Sequence, residues 1–277
     1  MAPQDPETPS PSNSQSENTS KQQLAREVFT ERAAFYTTSQ VHTDPEVLAR
    51  VAEYSELSPG SSALDVATGT GHTAFALAER ASFVVGTDLT RAMLDEARAL
   101  QAQKPGLGAL TWAVHDAHQL PFGNESFDVV ACRRAAHHFS DLDAAMAEMR
   151  RVLKPGGRLV IDDRSGPAAT SSAHEQVHDI MNALDLLHDR SHVRQHTPEE
   201  WQKLYRKHGF DVTHTQPYSK HRPITSLTDG TTPEETSEIH RLLEELSSEE
   251  QVIFDLRKVD GVLHHLHWYV TVAGRKL

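Results

Sequence analysis

Short apolar segments, each followed by a stretch with helical patterning, leave this chain few folds to choose from. Ala63-Leu64-Asp65-Val66-Ala67 precedes a glycine turn and the helical run Ala74 to Arg80, and Phe83-Val84-Val85-Gly86 precedes Ala92 to Leu100. Leu110 to Val114 and Phe127 to Cys132 follow, then the helical stretch Leu142 to Leu153 and the strand-like Arg158-Leu159-Val160-Ile161. Strands rich in Val and Leu that alternate with helices pair in parallel and are covered on both faces. The pattern predicts a doubly wound α/β domain with a mostly parallel sheet.

The flanks read differently. Residues 1–20 are almost entirely Pro, Ser, Thr, Asn, Gln and Glu, a composition that buries too little apolar surface to offset ordering entropy, and they are expected to form a disordered tail. One domain is expected over 21–277: N-terminal helices at 21–60, a core at 61–163 and a C-terminal half at 164–277. In the first part Leu24, Val28, Phe29 and Phe35 share a helical stripe, and Thr43-Asp44-Pro45 opens a second helix with a cap and an early proline. In the last part a polar helical stretch, Ala173 to His188, interrupts the alternation as an insertion. Thr197-Pro198-Glu199-Glu200 starts a capped helix that ends at His208-Gly209. A further helical segment, Pro233 to Lys258, leads to a final strand, Leu266 to Val272.

Composition narrows the partners. With 39 acidic against 27 basic residues the formal charge is −12, a field that repels phosphate backbones and anionic lipid surfaces. Neither a nucleic-acid substrate nor membrane insertion is expected, since no stretch approaches the roughly 20 apolar residues of a membrane span. The single cysteine, Cys132, lies in an apolar run and excludes a disulfide framework. With neither the basic start nor the apolar stretch of a secretory signal, the chain is expected in the cytoplasm. Oligomeric state stays open, a homodimer being one option.

The densest chemical signal is Asp65-Val66-Ala67-Thr68-Gly69-Thr70-Gly71-His72, where a strand ends and a helix begins. Glycines there allow a tight turn and close approach of a ligand, and the helix N-terminus offers unpaired amides. Asp88 ends the next strand, where a carboxylate can accept both hydroxyls of a ribose; loop and acid together describe a nucleoside ligand. Gly69, Gly71 and Ala74 also satisfy a relaxed dinucleotide fingerprint, which keeps a nicotinamide-dependent oxidoreductase in play.

The run Asp116-Ala117-His118-Gln119-Leu120-Pro121-Phe122, then Ser126-Phe127-Asp128-Val129-Val130 and Leu153-Lys154-Pro155-Gly156-Gly157-Arg158-Leu159, decide between these. With the glycine loop they resemble the class I S-adenosylmethionine-dependent methyltransferases, in particular the ubiquinone/menaquinone-type small-molecule branch. The resemblance covers roughly residues 60–163 and implies a seven-stranded Rossmann-like sheet with a helical lid. It also implies S-adenosylmethionine as methyl donor, S-adenosylhomocysteine as product and a small-molecule acceptor. By the same resemblance Asp65 would orient the glycine loop and help receive the methionine ammonium. Gly69 and Gly71 would give close backbone approach, Asp88 would bind the ribose, and Leu89 would pack on adenine. Asp116 and the Ala117 amide would bind the adenine edge, and Arg133 would bring its backbone near the cofactor, its side chain either pairing with an acidic substrate or, equally, forming a structural salt bridge. Phe35 to His42 resembles the lead-in segment of such enzymes, where a tyrosine, here Tyr36, lies over the methionine end. Asp189-Arg190-Ser191-His192-Val193-Arg194 resembles a signature in enzymes of this kind whose acceptors are mostly unassigned.

Methyl transfer is an in-line displacement with an excellent leaving group, so positioning carries most of the rate and a base is needed only when the nucleophile holds a proton. His137-His138-Phe139 follows the fourth strand, where the transferred methyl should point. His138 is the first candidate base, His137 the next and His42 the third. The run His264-His265-Leu266-His267 lacks the convergent ligands of a zinc site, and no metal is expected. O- or C-methylation of an aromatic or quinone-like acceptor fits best, with small-amine N-methylation behind it, against an NAD-dependent oxidoreductase or a non-catalytic methyltransferase-like partner protein.

Overall fold

The computed structural model describes residues 11–277, with side chains from residue 21 onward. The first ten residues of the expected tail lie outside the described residues, and the rest fall within helix α1 (Pro11–Tyr36). The helix runs further back than composition suggests because extending an existing helix needs no new nucleus. A single turn, α2 (Gln40–Thr43), is followed by α3 (Pro45–Tyr54), where Asp44 accepts from the amides of Glu46 and Val47 at 3.0 and 3.4 Å.

The alternation then unfolds as expected: β1 (Ser62–Val66), α4 (His72–Ala78), β2 (Phe83–Asp88), α5 (Arg91–Gln101), β3 (Ala109–Val114), β4 (Phe127–Arg133), a 3-10 turn (Ala136–His138), α6 (Leu142–Val152) and β5 (Leu153–Ser165). The C-terminal half contributes α7 (Ser172–His188), α8 (Pro198–Lys207), β6 (Phe210–Pro223), α9 (Thr225–Thr228), α10 (Pro233–Glu244), α11 (Ser248–Ile253), β7 (Arg257–Val259) and β8 (Val262–Lys276). The sheet order is β3-β2-β1-β4-β5-β8-β6. The first five strands are parallel, and β8 lies antiparallel between β5 and β6.

Three details depart from expectation. The seven-stranded path carries an eighth strand, β7, which pairs with β8 through the two-residue turn Asp260-Gly261. Both turn residues have positive φ, +50° and +83°, the geometry that suits Asp-Gly between antiparallel strands. The segment Pro233 to Lys258 is not one helix: α10 stops at Glu244, and a new capping box at Ser247 and Glu250 starts α11. Strand β6 has no apolar run to announce it. It is the sheet's edge, polar on much of its length and bearing Pro217 and Pro223, which only an edge tolerates well.

Side chains alternate across the sheet with period two and build a core on each face. Leu64, Val66, Val130, Cys132, Leu159 and Ile161 meet Met146 and Met149 of α6 and Trp201 and Tyr205 of α8. Ala63, Val129, Ala131 and Val160 meet Ala74 and Leu77 of α4 and Val51 of α3. A third core holds the insertion together, with Val177, Met181 and Leu184 of α7 against Leu227, Ile239, Leu243 and Phe254. Among the described residues, no helix is long and apolar enough to cross a membrane.

Where the insertion meets the sheet, histidines are buried. Burial pushes the imidazoles of His265 and His192 down to about 4 and that of His267 to about 3. Against an ordinary value near 6.5, the unfolded chain then binds more protons than the folded one between about pH 6.5 and about pH 4, so stability falls as pH falls through that window. We expect the thermal midpoint to drop by several degrees between about pH 7 and about pH 5, and a variant with His265→Gln and His267→Gln to show a flatter dependence. A midpoint in the native chain that does not move over this range would contradict the burial argument.

Candidate active site

At β1 the chain leaves toward β2 on one side, and at β4 toward β5 on the other, opening a crevice at the carboxyl ends of the parallel strands. A cleft enclosing about 910 Å3 of empty space, its mouth included, fills this crevice. Its floor is the loop Ala67 to Thr70, its walls are Asp88, Leu89, Asp116, Ala117, Arg133 and Ala135, and Tyr36 and His42 close it.

Two carboxylates shape the loop. Ala67 takes a left-handed φ of +52°, a strain that a non-glycine residue adopts only when its surroundings impose it. The next residue is held on both sides: the Thr68 amide donates to the Thr87 carbonyl at 2.7 Å, and its hydroxyl to Asp65 Oδ2 at 2.5 Å. Gly69, at φ +55°, donates its amide to Asp88 Oδ2 at 2.9 Å, and a Cβ there would meet nothing within 4 Å. The loop thus presents open space rather than packed side chains. Asp65 is buried, its Oδ1 has no hydrogen-bond partner, and burial raises its carboxyl to about 7. Burial also raises Asp88, whose Oδ1 accepts from the Thr90 amide at 2.9 Å and hydroxyl at 2.7 Å.

Gly71 also has a packing requirement of its own, beside the ligand approach expected from the motif. It caps α4 at φ +89°, and a Cβ there would stand 2.6 Å from the Trp112 ring. Trp112 Nε1 donates to Gln101 Oε1 at 2.7 Å, which pins the indole against the loop.

At the far wall, Asp116 Oδ1 accepts from the His118 amide at 2.9 Å and lies 2.5 Å from His118 Nδ1. The Asp141 amide donates to His118 Nε2 at 3.2 Å, so the ring proton sits on Nδ1. Burial alone would raise the Asp116 carboxyl, but these bonds outweigh it and hold the group below the usual range. His118 lines the cleft and was absent from the expected site, although it stands inside the motif that named its neighbours.

Arg133 does less than its charge suggests and more than its backbone. Its Nε donates to Thr73 Oγ1 at 2.8 Å and its Nη2 to the His42 carbonyl at 2.7 Å, fastening α2 over the cleft. A guanidinium so engaged is not free to pair with an acidic substrate. His42 lies edge-on to Tyr36 with ring centres 4.6 Å apart, and burial followed by the Arg133 charge keeps it well below its ordinary value, hence neutral.

A second cavity, enclosing about 930 Å3 of empty space with its mouth included, adjoins the first, and Tyr36, His42, Arg134 and His138 line both. Phe35, Arg164, His188, Asp189, Arg222 and Tyr269 complete much of its wall. The expected site residues therefore divide. Tyr36, Gly69, Asp88, Leu89, Asp116, Ala117, Arg133, His42 and His138 line the first cleft, whereas Asp65 and Gly71 support its floor from beneath. His137 does not reach that cleft. It is buried, its amide donates to Asp163 Oδ2 at 2.9 Å, and its Nδ1 lies 2.6 Å from Oδ1, so the aspartate draws the ring away; it borders the second cavity only. Arg134, Arg164 and Asp189 were missed as site residues, and only the Asp189 to Arg194 motif hinted at one of them. Among the described residues no group of histidines, cysteines and carboxylates gathers as a metal site.

Gly71→Ala should destabilise the protein by about 1–3 kcal/mol, combining left-handed strain with overpacking against the indole. Denaturant unfolding of the single variant, Trp112→Leu and the double variant checks this: the two effects should be less than additive, and strict additivity would show that the indole is not the obstacle.

The segment 64–161 matches the family described as Methyltransferase domain. The chain is 34% identical over 177 residues to the uncharacterized methyltransferase YcgJ of Bacillus subtilis, covering 64% of this chain and 68% of that protein. The solved YcgJ structure aligns with a TM-score of 0.75 and 28% identity, over 83% of this chain and 98% of that one. A demethylmenaquinone methyltransferase of Deinococcus radiodurans is 46% identical over 110 residues; the match spans 38% of this chain and 44% of that relative's length.

Proposed function

The chain belongs to the S-adenosylmethionine-dependent methyltransferases, and from that premise we propose that it methylates a small aromatic or quinone-like molecule, on oxygen or carbon, held in the second cavity. The observation that carries this reading is the junction of the two cavities at Tyr36, His42, Arg134 and His138. A donor in one chamber and an acceptor in the other would face each other there, which is the geometry an in-line displacement needs.

The residues present fit the donor. Gly69 leaves a cradle that a Cβ would fill, and the unpartnered Oδ1 of buried Asp65 lies beneath the loop that would receive a cationic amino-acid end. Asp88, fixed by Thr90 and Gly69, would accept the ribose hydroxyls, Leu89 would cover an adenine face, and Asp116 with the Ala117 amide would read its edge. Bound there, S-adenosylmethionine supplies a methyl on a sulfonium, ready for displacement. The chain's own part is to hold, align and keep water out: Arg133 locks α2 down, and Tyr36 and His42 roof the methyl-bearing end. Phe35 and Tyr36 give the second chamber aromatic walls suited to a flat acceptor. Of the two histidines that border both chambers, His138 carries the role of base, with His42 neutral beside it and His137 a support.

Titration calorimetry with S-adenosylmethionine, with NAD in parallel, tests the donor half. We expect micromolar affinity for S-adenosylmethionine, weakened at least about tenfold in a folded Asp88→Ala variant, equal to about 1.4 kcal/mol. No binding, or preference for NAD, would return the glycine loop to an oxidoreductase reading.

A further inference from the structure

We infer that Ser191 and Asp189 hold the His138 imidazole with its proton on Nδ1, leaving Nε2 to take the proton of an acceptor hydroxyl, so that the acceptor is a phenol-type alcohol. The inference rests on the reading of the second cavity as the acceptor chamber. Three atoms carry it. Ser191 Oγ lies 2.6 Å from Asp189 Oδ1 and 3.0 Å from His138 Nδ1. An ionised carboxylate only accepts, and a serine hydroxyl has one proton to give. That proton therefore goes to Asp189, and Ser191 Oγ must accept from His138 Nδ1–H.

Asp189 is a secure anchor. Burial would raise its carboxyl, but the nearby His138 and the two bonds from Ser191, its amide at 2.9 Å and its hydroxyl, hold it far below the usual range. The ring of His138 is also confined, edge-on to Phe29 at 4.8 Å and against His137 at 4.0 Å. His138 Nε2 makes no hydrogen bond to the described residues and belongs to the one ring of the pair that borders both chambers.

A base in this place matters only for a nucleophile that is protonated near neutral pH. The proton of the acceptor hydroxyl passes to His138 Nε2, the oxygen pair forms the O–CH3 bond, and the S–CH3 bond breaks with its pair left on a neutral thioether sulfur. His138 then returns the proton to solvent. For a phenol of pKa about 10 such help is worth about 10²- to 10⁴-fold.

Nitrogen-15 NMR of the full chain, with labelled histidine and the His138→Gln spectrum for assignment, reads the tautomer directly. His138 is expected with Nδ1 protonated and Nε2 bare in the native chain and in Ser191→Thr. Ser191→Ala and Asp189→Asn should shift it toward the Nε2–H form. An Nε2–H tautomer in the native chain overturns the relay. The second arm presents S-adenosylmethionine with a panel of phenols that includes nitrophenols already ionised near neutral pH. Ser191→Ala and Asp189→Asn should slow methylation of the unionised phenols by about 10²-fold more than that of the nitrophenols and leave S-adenosylmethionine affinity unchanged. Equal losses on both kinds of phenol would make Ser191 and Asp189 structural only. Methylation of no phenol by a chain that binds S-adenosylmethionine overturns the hydroxyl assignment, whereas failure to bind S-adenosylmethionine overturns the reading beneath it.

Discussion

Three charged residues in a row at the carboxyl end of β5, Asp162, Asp163 and Arg164, hold the functional half of the molecule in register. Asp162 and Asp163 are fully buried and Arg164 is half-buried, and each has a partner from a different element. Asp162 Oδ2 accepts from Tyr218 of β6 at 2.9 Å and from Thr271 of β8 at 2.6 Å, while Oδ1 lies 3.1 Å from Arg134 Nε at the exit of β4. Asp163 holds His137, and Arg164 pairs with Asp185 of the inserted helix α7. A buried charge that loses its partner costs several kcal/mol, so none of these elements can drift without a large penalty. Such groups add little net stability compared with an apolar core; their effect is to admit a single arrangement.

That arrangement explains why His137 and His138, adjacent and alike in sequence, have different parts. His137 is a post. Its ring is tied to Asp163, and its carbonyl accepts from the amides of Val193 and Arg194 at 2.8 and 3.2 Å, which fastens the loop after α7 to the turn after β4. The same fastening brings Ser191 and Asp189 to His138. Arg134, at a strained φ of +56°, turns the chain here, and its guanidinium lies 3.6 Å over the Tyr269 ring, so one residue closes the corner that both chambers share. The loop from Ala67 to Thr70 is built on a similar logic, with Asp65 holding Thr68, Asp88 holding Gly69, and each carboxylate carrying the cost of burial.

Much of this was legible before any coordinates. Apolar runs with no polar alternation announced the parallel strands, because strands covered on both faces have no wet side to mark. The glycine loop, Asp88 and the Asp116 motif announced the cleft at the strand ends, which all three go on to line. The capping boxes placed α8 accurately, since a cap is a contact within four residues. What stayed hidden involved distance along the chain. Strand β6 is polar because it is an edge, and its pairing with β8 is a long-range fact. Gly71 looked like a ligand glycine, while the obstacle that demands it, Trp112, stands 41 positions away. For Arg133 the sequence left a substrate partner and a structural role equally open, and only the fold shows its donors taken by Thr73 and by the carbonyl of His42.

The amino-acid sequence alone determined the alternation of strands and helices as far as β5, the end of the sheet at which the glycine loop lies, and the family, because periodicity, caps and glycine turns act over a few residues and write themselves locally. The tertiary structure alone decided which of two neighbouring histidines is free, what holds it, and that a second chamber opens beside the first. Those outcomes depend on where Asp163, Asp189 and Ser191 come to rest relative to His137 and His138, and a hydrogen bond between residues 26 to 53 positions apart leaves no periodic trace in the chain.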